Sequence, residues 1–111
     1  MIELTKRHCA PCEGGVAPLT TAGIQSLHAM TPLWTVRKDG KELERTFEFP
    51  DYWRVMGFVN AVAWIASVED HHPDMAVSYN RVVVRWSTHA IKGLSDNDFI
   101  GAAKVDALVA K

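Results

Sequence analysis

Residues 34–49 read WTVRKDGKELERTFEF and contain the clearest hairpin pattern in the chain. Asp39-Gly40 predicts a two-residue turn, because glycine adopts positive φ freely and aspartate adopts it more readily than most residues. Such a turn places Val36 opposite Leu43, so that apolar side chains collect on one face and charged side chains on the other. The alternation predicts an antiparallel pair of strands with one buried face.

A second hairpin is predicted further along the chain, from residues 75–79 and 82–88. A tight closure at residues 80–81 places Val77 opposite Val84 and gives this hairpin one apolar face as well. Two consecutive hairpins of this kind indicate an antiparallel sheet.

Three helices are predicted around the two hairpins. They cover about residues 20–30, residues 51–68 and the segment from Ser95 onward, and apolar residues recur in them at helical spacing. In the second helix, Trp53 and Trp64 are expected to widen the apolar stripe. This stripe must pack on another element, and the apolar face of the sheet is the obvious partner.

The chain has 111 residues, a length that supports one domain. Proline and glycine punctuate residues 1–18, which we expect to form an irregular arm before a single domain at 19–111. The spacing of Ser95 and Asp98 predicts a capping box for the last helix. The predicted fold is α+β, with a four-stranded antiparallel sheet, three helices on one face and the order α-β-β-α-β-β-α.

The charge and hydropathy of the chain argue against several classes of protein. Twelve basic and thirteen acidic residues give a net charge of −1, which argues against a general binder of nucleic acid or of anionic membranes. No secretory signal is visible, and the most apolar stretch is too short to span a bilayer. We therefore expect a cytoplasmic protein without a membrane or nucleic-acid partner.

Three histidines, His71, His72 and His89, are the candidate catalytic residues. Extending the predicted ladder of the second hairpin brings His72 opposite His89. Clustered imidazoles, each with an ordinary pKa of about 6.5, can hold one proton donor and one acceptor at neutral pH, which suits general acid–base catalysis. The competing interpretation is that these histidines lie on the surface and have no function. A metal site is a further interpretation, although no C-x₂-C or H-E-x-x-H pattern surrounds the cluster.

Cys9 and Cys12 have CxxC spacing, with His8 beside them. Without a second such pair, the spacing is a weak indication of zinc or redox chemistry, and two thiols in an arm are the simpler interpretation. A small metal-binding module that uses the histidines and these two cysteines remains an alternative.

Several motifs together resemble the pterin-4a-carbinolamine dehydratase family. They are EDHHPD at 69–74, STH at 87–89, GLS at 93–95 and, as in the arm of many bacterial members, CAPCEGG at 9–15. The likeness covers nearly the whole chain. The HHP element followed by a histidine sixteen residues after the proline is highly specific.

The resemblance implies an α+β domain that acts as a hydro-lyase. The reaction is dehydration of 4a-hydroxytetrahydropterin, or pterin-4a-carbinolamine, to quinonoid dihydropterin, which recycles the pterin cofactor of aromatic amino-acid hydroxylases. The resemblance implies a pterin substrate, no cofactor and no metal. It also implies a functional link to a pterin-dependent hydroxylase and a homo-oligomer, either a dimer or a tetramer, in which sheets join across subunits.

Site residues follow from the resemblance by position. His71, His72 and His89 match the catalytic histidines of the family. The positions expected to bind the substrate are Asp70, Pro73, Ser87, Thr88, Ala90 and Trp34.

One position departs from the family pattern. Ser67 stands four residues before the first histidine, where the family usually has an acidic residue. Glu69 or Asp70 is the candidate to supply a carboxylate instead. The departure keeps open a non-catalytic or divergent paralogue that acts on another pterin, such as one related to the molybdenum cofactor. A dimerisation or interaction protein, a role that animal members also have, is the other alternative.

Overall fold

The computed structural model describes residues 3–10 and 17–110. Within these ranges the chain forms three α-helices and four strands in the predicted order, together with two short 3-10 helices at Leu4–Lys6 and His89–Ile91. The helices are α1 (Thr21–His28), α2 (Tyr52–Glu69) and α3 (Asp96–Val109), and the strands are β1 (Thr35–Arg37), β2 (Glu42–Glu48), β3 (Asp74–Ser78) and β4 (Arg81–Trp86). In the described ranges, no helix is long and apolar enough to cross a membrane.

The four strands form one antiparallel sheet in the order β1-β2-β4-β3. The first hairpin has the predicted register, with Val36 opposite Leu43. Its turn is wider than predicted, because Lys38, Asp39 and Gly40 all adopt positive φ and the ladder begins only beyond a four-residue loop. The predicted register is therefore confirmed, whereas the predicted two-residue turn is wrong.

The predicted register of the second hairpin is wrong by two residues. Val77 lies opposite Val82, because the turn begins one residue earlier than predicted, at Tyr79. The carbonyl of Asn80 accepts a hydrogen bond from the backbone N–H of Phe49 at 2.9 Å, which ties this turn to the end of β2. Side chains alternate along a strand, so an even shift leaves the apolar face unchanged.

The core lies between the apolar face of the sheet and the helices α2 and α3. Its buried members include Leu43, Phe47, Val82, Val84 and Trp86 of the sheet, Val55, Phe58 and Val62 of α2, and Phe99, Ala102, Ala103 and Val105 of α3. Trp53 and Trp64 do not join this stripe and are 79% and 70% exposed. Their predicted contribution to the core is wrong because they lie on the face of α2 that points away from the sheet.

We expect Gly101 to be required for close packing of α3 on the sheet. A Cβ atom at Gly101 would lie 2.6 Å from the ring of the buried Trp86. The variant Gly101→Ala should therefore lower the free energy of unfolding by about 1–3 kcal/mol through overpacking. Urea denaturation measures the change.

The matched control is Gly57→Ala in α2. Apart from its own helix backbone and chain neighbours, no described atom lies within 4 Å of a Cβ at this exposed position. Alanine should therefore raise the free energy of unfolding by about 0.5–1 kcal/mol. Equal effects of the two substitutions would contradict the packing argument.

Candidate active site

A cavity of about 390 Å³ lies where the end of α2, the end of β4 and the start of α3 meet. It is lined by Cys9, Ala10, Glu69, Asp70, His71, His72, Ser87, Thr88, His89, Ala90 and Asn97. The volume falls within the range of about 300–1,000 Å³ that is typical of small-molecule sites. The structure thus brings together the three candidate histidines and most of the residues expected around them.

His72 and His89 line the same cavity, although the ladder does not pair them. The β3–β4 ladder ends with Asp74 opposite Arg85. His72 therefore lies in the loop before β3, and His89 begins the short 3-10 helix after β4. The proposed cross-strand pairing of the two rings is wrong, because it depended on the incorrect register.

His71 is the most constrained of the three histidines. Its Nε2 lies 2.7 Å from Oδ1 of Asp98, and its ring stacks on Trp86 with 5.4 Å between ring centroids and 17° between planes. The side chain is 13% exposed. With Asp98 ionised, Nε2 carries the proton that it donates to the carboxylate. Nδ1, which has no hydrogen-bond partner in the described part of the chain, is then the nitrogen of this ring that can accept a proton.

Asp98 is fully buried, and its carboxylate links the start of α3 to the end of β4. Oδ2 accepts hydrogen bonds from the Thr88 hydroxyl at 2.7 Å and from the Ser95 backbone N–H at 3.0 Å. The capping box predicted from Ser95 and Asp98 is confirmed. Sequence reasoning identified this cap but missed the contact of the same carboxylate with His71.

His72 and His89 are much more accessible than His71. His72 Nδ1 donates a hydrogen bond of 3.3 Å to the carbonyl of Pro73, which leaves Nε2 available. His89 is 75% exposed, and its Nε2 lies 3.9 Å from Oδ2 of Asp74, a distance at which an exposed ion pair contributes little. Both rings can therefore exchange protons with water.

Glu69 lines the cavity, but its carboxylate is engaged by protein groups. It accepts hydrogen bonds from the Cys9 backbone N–H at 2.7 Å, from Lys104 Nζ at 2.8 Å and from His8 Nδ1 at 2.9 Å. Burial by itself raises the pKa of Glu69, but these hydrogen bonds and the charge of Lys104 outweigh it and lower the pKa to about 2. Glu69 is therefore ionised at neutral pH and has no proton to give.

Asp70 is the carboxylate of this loop that stays accessible at the cavity. It ends α2 in the left-handed conformation with a φ of 52° and is exposed. Its side chain has no hydrogen-bond partner within residues 3–10 and 17–110. Ser67 is exposed on α2 and is not among the described residues that line the cavity.

Trp34 and Pro73 are not among the described residues that line the cavity, contrary to expectation. Trp34 is buried in the core because it lies on the apolar face of the first hairpin, and its indole N–H donates a hydrogen bond to Asp106 at 2.8 Å. Pro73 is buried within the loop that carries the histidines. The structure therefore does not bring these two residues to the site.

Cys9 contributes a neutral thiol to the cavity. Its Sγ donates to the carbonyl of Asn97 at 3.7 Å. Burial, together with the negative charge of Glu69, raises the pKa of the thiol to about 12, so Cys9 is protonated and a weak nucleophile at neutral pH. Cys12, the other member of the CxxC motif, lies outside the described residues.

The family model described as "Pterin 4 alpha carbinolamine dehydratase" matches residues 17–108. The chain belongs to this dehydratase family. It is 52% identical over 108 residues to a protein of Xanthomonas oryzae pv. oryzae (strain PXO99A) assigned as a pterin-4-alpha-carbinolamine dehydratase, covering 97% of this chain and 92% of that one. A protein of Stenotrophomonas maltophilia (strain K279a) with the same assignment is 50% identical over 108 residues, covering 97% and 93%.

Two solved structures resemble this member of the dehydratase family. The crystal structure of a transcriptional coactivator/pterin dehydratase from Brucella melitensis has a TM-score of 0.79 and 29% identity, and the match covers 84% of this chain and 99% of that one. A pterin dehydratase-like protein described as a RuBisCO assembly factor in the α-carboxysome has a TM-score of 0.61 and 22% identity, covering 70% and 90%. At that identity the second likeness shows the fold alone.

We expect Glu69 to make the stability of this dehydratase-family protein depend on pH below 4.5. Its pKa is about 2 in the folded protein against an ordinary value of 4.5. Its stabilising contribution is therefore complete above pH 4.5 and is lost as the pH falls through about 2. Urea denaturation should show that wild type exceeds Glu69→Gln in free energy of unfolding at pH 6, and that the difference shrinks towards pH 2.

The control is Glu48→Gln, which neutralises an exposed carboxylate of β2. This substitution should produce no comparable pH-dependent difference. A difference for Glu69→Gln that stays constant from pH 6 to pH 2 would rule out the assigned pKa.

Proposed function

We propose that the protein dehydrates pterin-4a-carbinolamine to quinonoid dihydropterin by histidine general acid–base catalysis. The observation that carries the proposal is the convergence of His71, His72 and His89 on one cavity, with His71 bound to the buried carboxylate of Asp98. Membership of the dehydratase family supports the choice of a pterin as substrate.

The reaction requires two proton transfers at neighbouring atoms of the substrate. The bond between C4a and the hydroxyl oxygen breaks, N5 loses its proton, a double bond forms between C4a and N5, and one water molecule leaves. Hydroxide is a poor leaving group, so a proton must reach the oxygen as the bond breaks. The donor and acceptor imidazoles exchange protonation states in each turnover and are restored through water.

Within this scheme His71 acts as the base that removes the N5 proton. Taking up a proton makes its ring an imidazolium, and Asp98 compensates this charge as the carboxylate of a catalytic triad does. One of the accessible rings, His72 or His89, delivers a proton to the departing hydroxyl, and the other orients it.

The biological setting follows from the chemistry of the substrate. A pterin-dependent hydroxylase produces the carbinolamine, so the proposed reaction returns pterin to such an enzyme. The functional link to a hydroxylase, the homo-oligomer and the cytoplasmic location stay predictions from the sequence.

A direct assay tests the proposed activity. The 4a-hydroxy adduct is generated with a pterin-dependent hydroxylase, and its decay is followed by ultraviolet absorbance with and without the protein. Faster decay supports the dehydratase. An unchanged rate contradicts it and favours the divergent-paralogue or interaction-protein alternative. Elemental analysis of the purified protein tests the metal-module alternative, which sub-stoichiometric metal would exclude.

We expect His72→Ala and His89→Ala each to lower kcat at least tenfold, since a positioned acid or base contributes about 10²–10⁴ in rate. Both side chains are exposed, so circular dichroism should show an intact fold. His28→Ala is the control, because His28 lies outside the cavity and bonds the carbonyl of Trp34. Full activity in both cavity variants would refute the assignment.

Neutralising Asp98 should reduce turnover more than substrate affinity. Asp98→Asn keeps the size of the helix cap but removes the charge that compensates the imidazolium of His71, so we expect kcat to fall at least tenfold with little change in KM. The matched control is Asp51→Asn, which alters the capping aspartate of α2 and should leave both constants unchanged. Steady-state kinetics that show a rise in KM alone would contradict this role.

A further inference from the structure

The segment formed by residues 7–10, called here the N-terminal wall, closes one side of the cavity. Cys9 and Ala10 line the same cavity as the three histidines. The wall contacts the end of α2 and the start of α3, which are both far from it in sequence. Side chains of these two helices hold it in place. Its Arg7 forms an ion pair of 2.9 Å with Asp96 at the start of α3.

Asn97 binds the backbone of the wall on both of its polar groups. Its Nδ2 donates a hydrogen bond of 2.6 Å to the carbonyl of Ala10, and its Oδ1 accepts one of 2.9 Å from the N–H of Ala10. Asn97 is buried. This two-point contact resembles the exchange of hydrogen bonds between paired strands and fixes the position of Ala10.

Glu69 makes a second contact with the wall, through the backbone of Cys9. One carboxylate oxygen accepts from the Cys9 N–H, and the other contacts Lys104 and His8. The side chains of Glu69 and Lys104 are only 3% and 15% exposed. Buried charges of this kind persist only when each has partners, so the arrangement is a specific structural contact and not a surface ion pair.

The position of Glu69 connects this contact to the loop that carries His71 and His72. Glu69 is the last residue of α2 and precedes His71 by two residues. The same turn of chain therefore presents a histidine to the cavity and holds the wall beside it. The wall offers a protonated thiol at Cys9 and a methyl group at Ala10, which form a small, uncharged surface.

We propose that Glu69 is a positioning residue that, with Lys104 and Asn97, holds the N-terminal wall as a surface against which the substrate ring packs. The wall sets substrate affinity and excludes bulky groups on that side, and it takes no part in proton transfer. The identity of the substrate rests on the proposed function, whereas the contact itself rests on the hydrogen bonds above.

The first experiment enlarges the wall with Ala10→Phe. Ala10 is exposed to the cavity, so phenylalanine should leave the fold intact while occupying space beside the histidines. We expect the Kd for 7,8-dihydrobiopterin, a stable pterin, to rise at least fivefold in fluorescence titration. In the dehydration assay KM should rise similarly and kcat should stay within twofold. An unchanged Kd and KM would overturn the proposal.

The second experiment releases the wall with Glu69→Ala. Backbone hydrogen exchange should accelerate at least tenfold at the amides of Cys9 and Ala10, while the amides of β4 keep their protection. Glu69→Gln should fall between wild type and Glu69→Ala, since its amide oxygen can still accept from Cys9. Glu48→Ala, an exposed control, should match wild type in exchange and binding.

The outcomes separate this inference from the proposed function. Tight pterin binding by wild type without dehydration would contradict the proposed function, and the binding and exchange measurements would still decide the role of Glu69. Unaltered exchange at Cys9 in Glu69→Ala would overturn the positioning role. A fall in kcat at constant KM in that variant would overturn it too, because it would assign Glu69 to the chemical step. Absence of pterin binding by wild type would overturn both.

Discussion

The buried carboxylate of Asp98 determines how the site is assembled. A charge removed from water is costly unless it gains hydrogen bonds in exchange, and Asp98 obtains them from the Ser95 backbone, the Thr88 hydroxyl and His71. These groups belong to the start of α3, the segment after β4 and the loop after α2. The hydrogen bonds of this one carboxylate therefore hold three elements together and fix the orientation of the His71 ring at the same time.

Glu69 is a second buried carboxylate, and its hydrogen-bond partners are different from those of Asp98. Lys104 and backbone or side-chain donors from the N-terminal wall hold it ionised, so it joins the wall to the end of α2 beside the cavity. Ser67, where the resemblance led us to expect an acidic residue, is exposed on α2 and does not line the cavity among the described residues. The accessible Asp70 is the nearby carboxylate that can still approach a ligand.

Local sequence patterns predicted the helices and strands correctly, but they predicted the wrong register for the second hairpin. Ser95 and Asp98 predicted the start of α3, because a capping box depends only on residues three positions apart. The second hairpin could close at either of two neighbouring positions with the same alternation, since a shift of two keeps every side chain on its face. In the observed closure the carbonyl of Asn80 accepts a hydrogen bond from Phe49, just after β2, and no pattern within the hairpin predicts such a long-range contact.

The sequence by itself determined the α+β class, the order of the elements, the family and the three histidines, because periodicity, turn residues and motif spacing are local properties of the chain. Only the tertiary structure decided which groups come into contact at the cavity. Glu69 forms hydrogen bonds with Cys9 and Lys104, and Asp98 forms one with His71, across long separations in sequence. Such pairs are selected by the need to satisfy buried charges once the helices have packed, and local sequence does not encode that constraint.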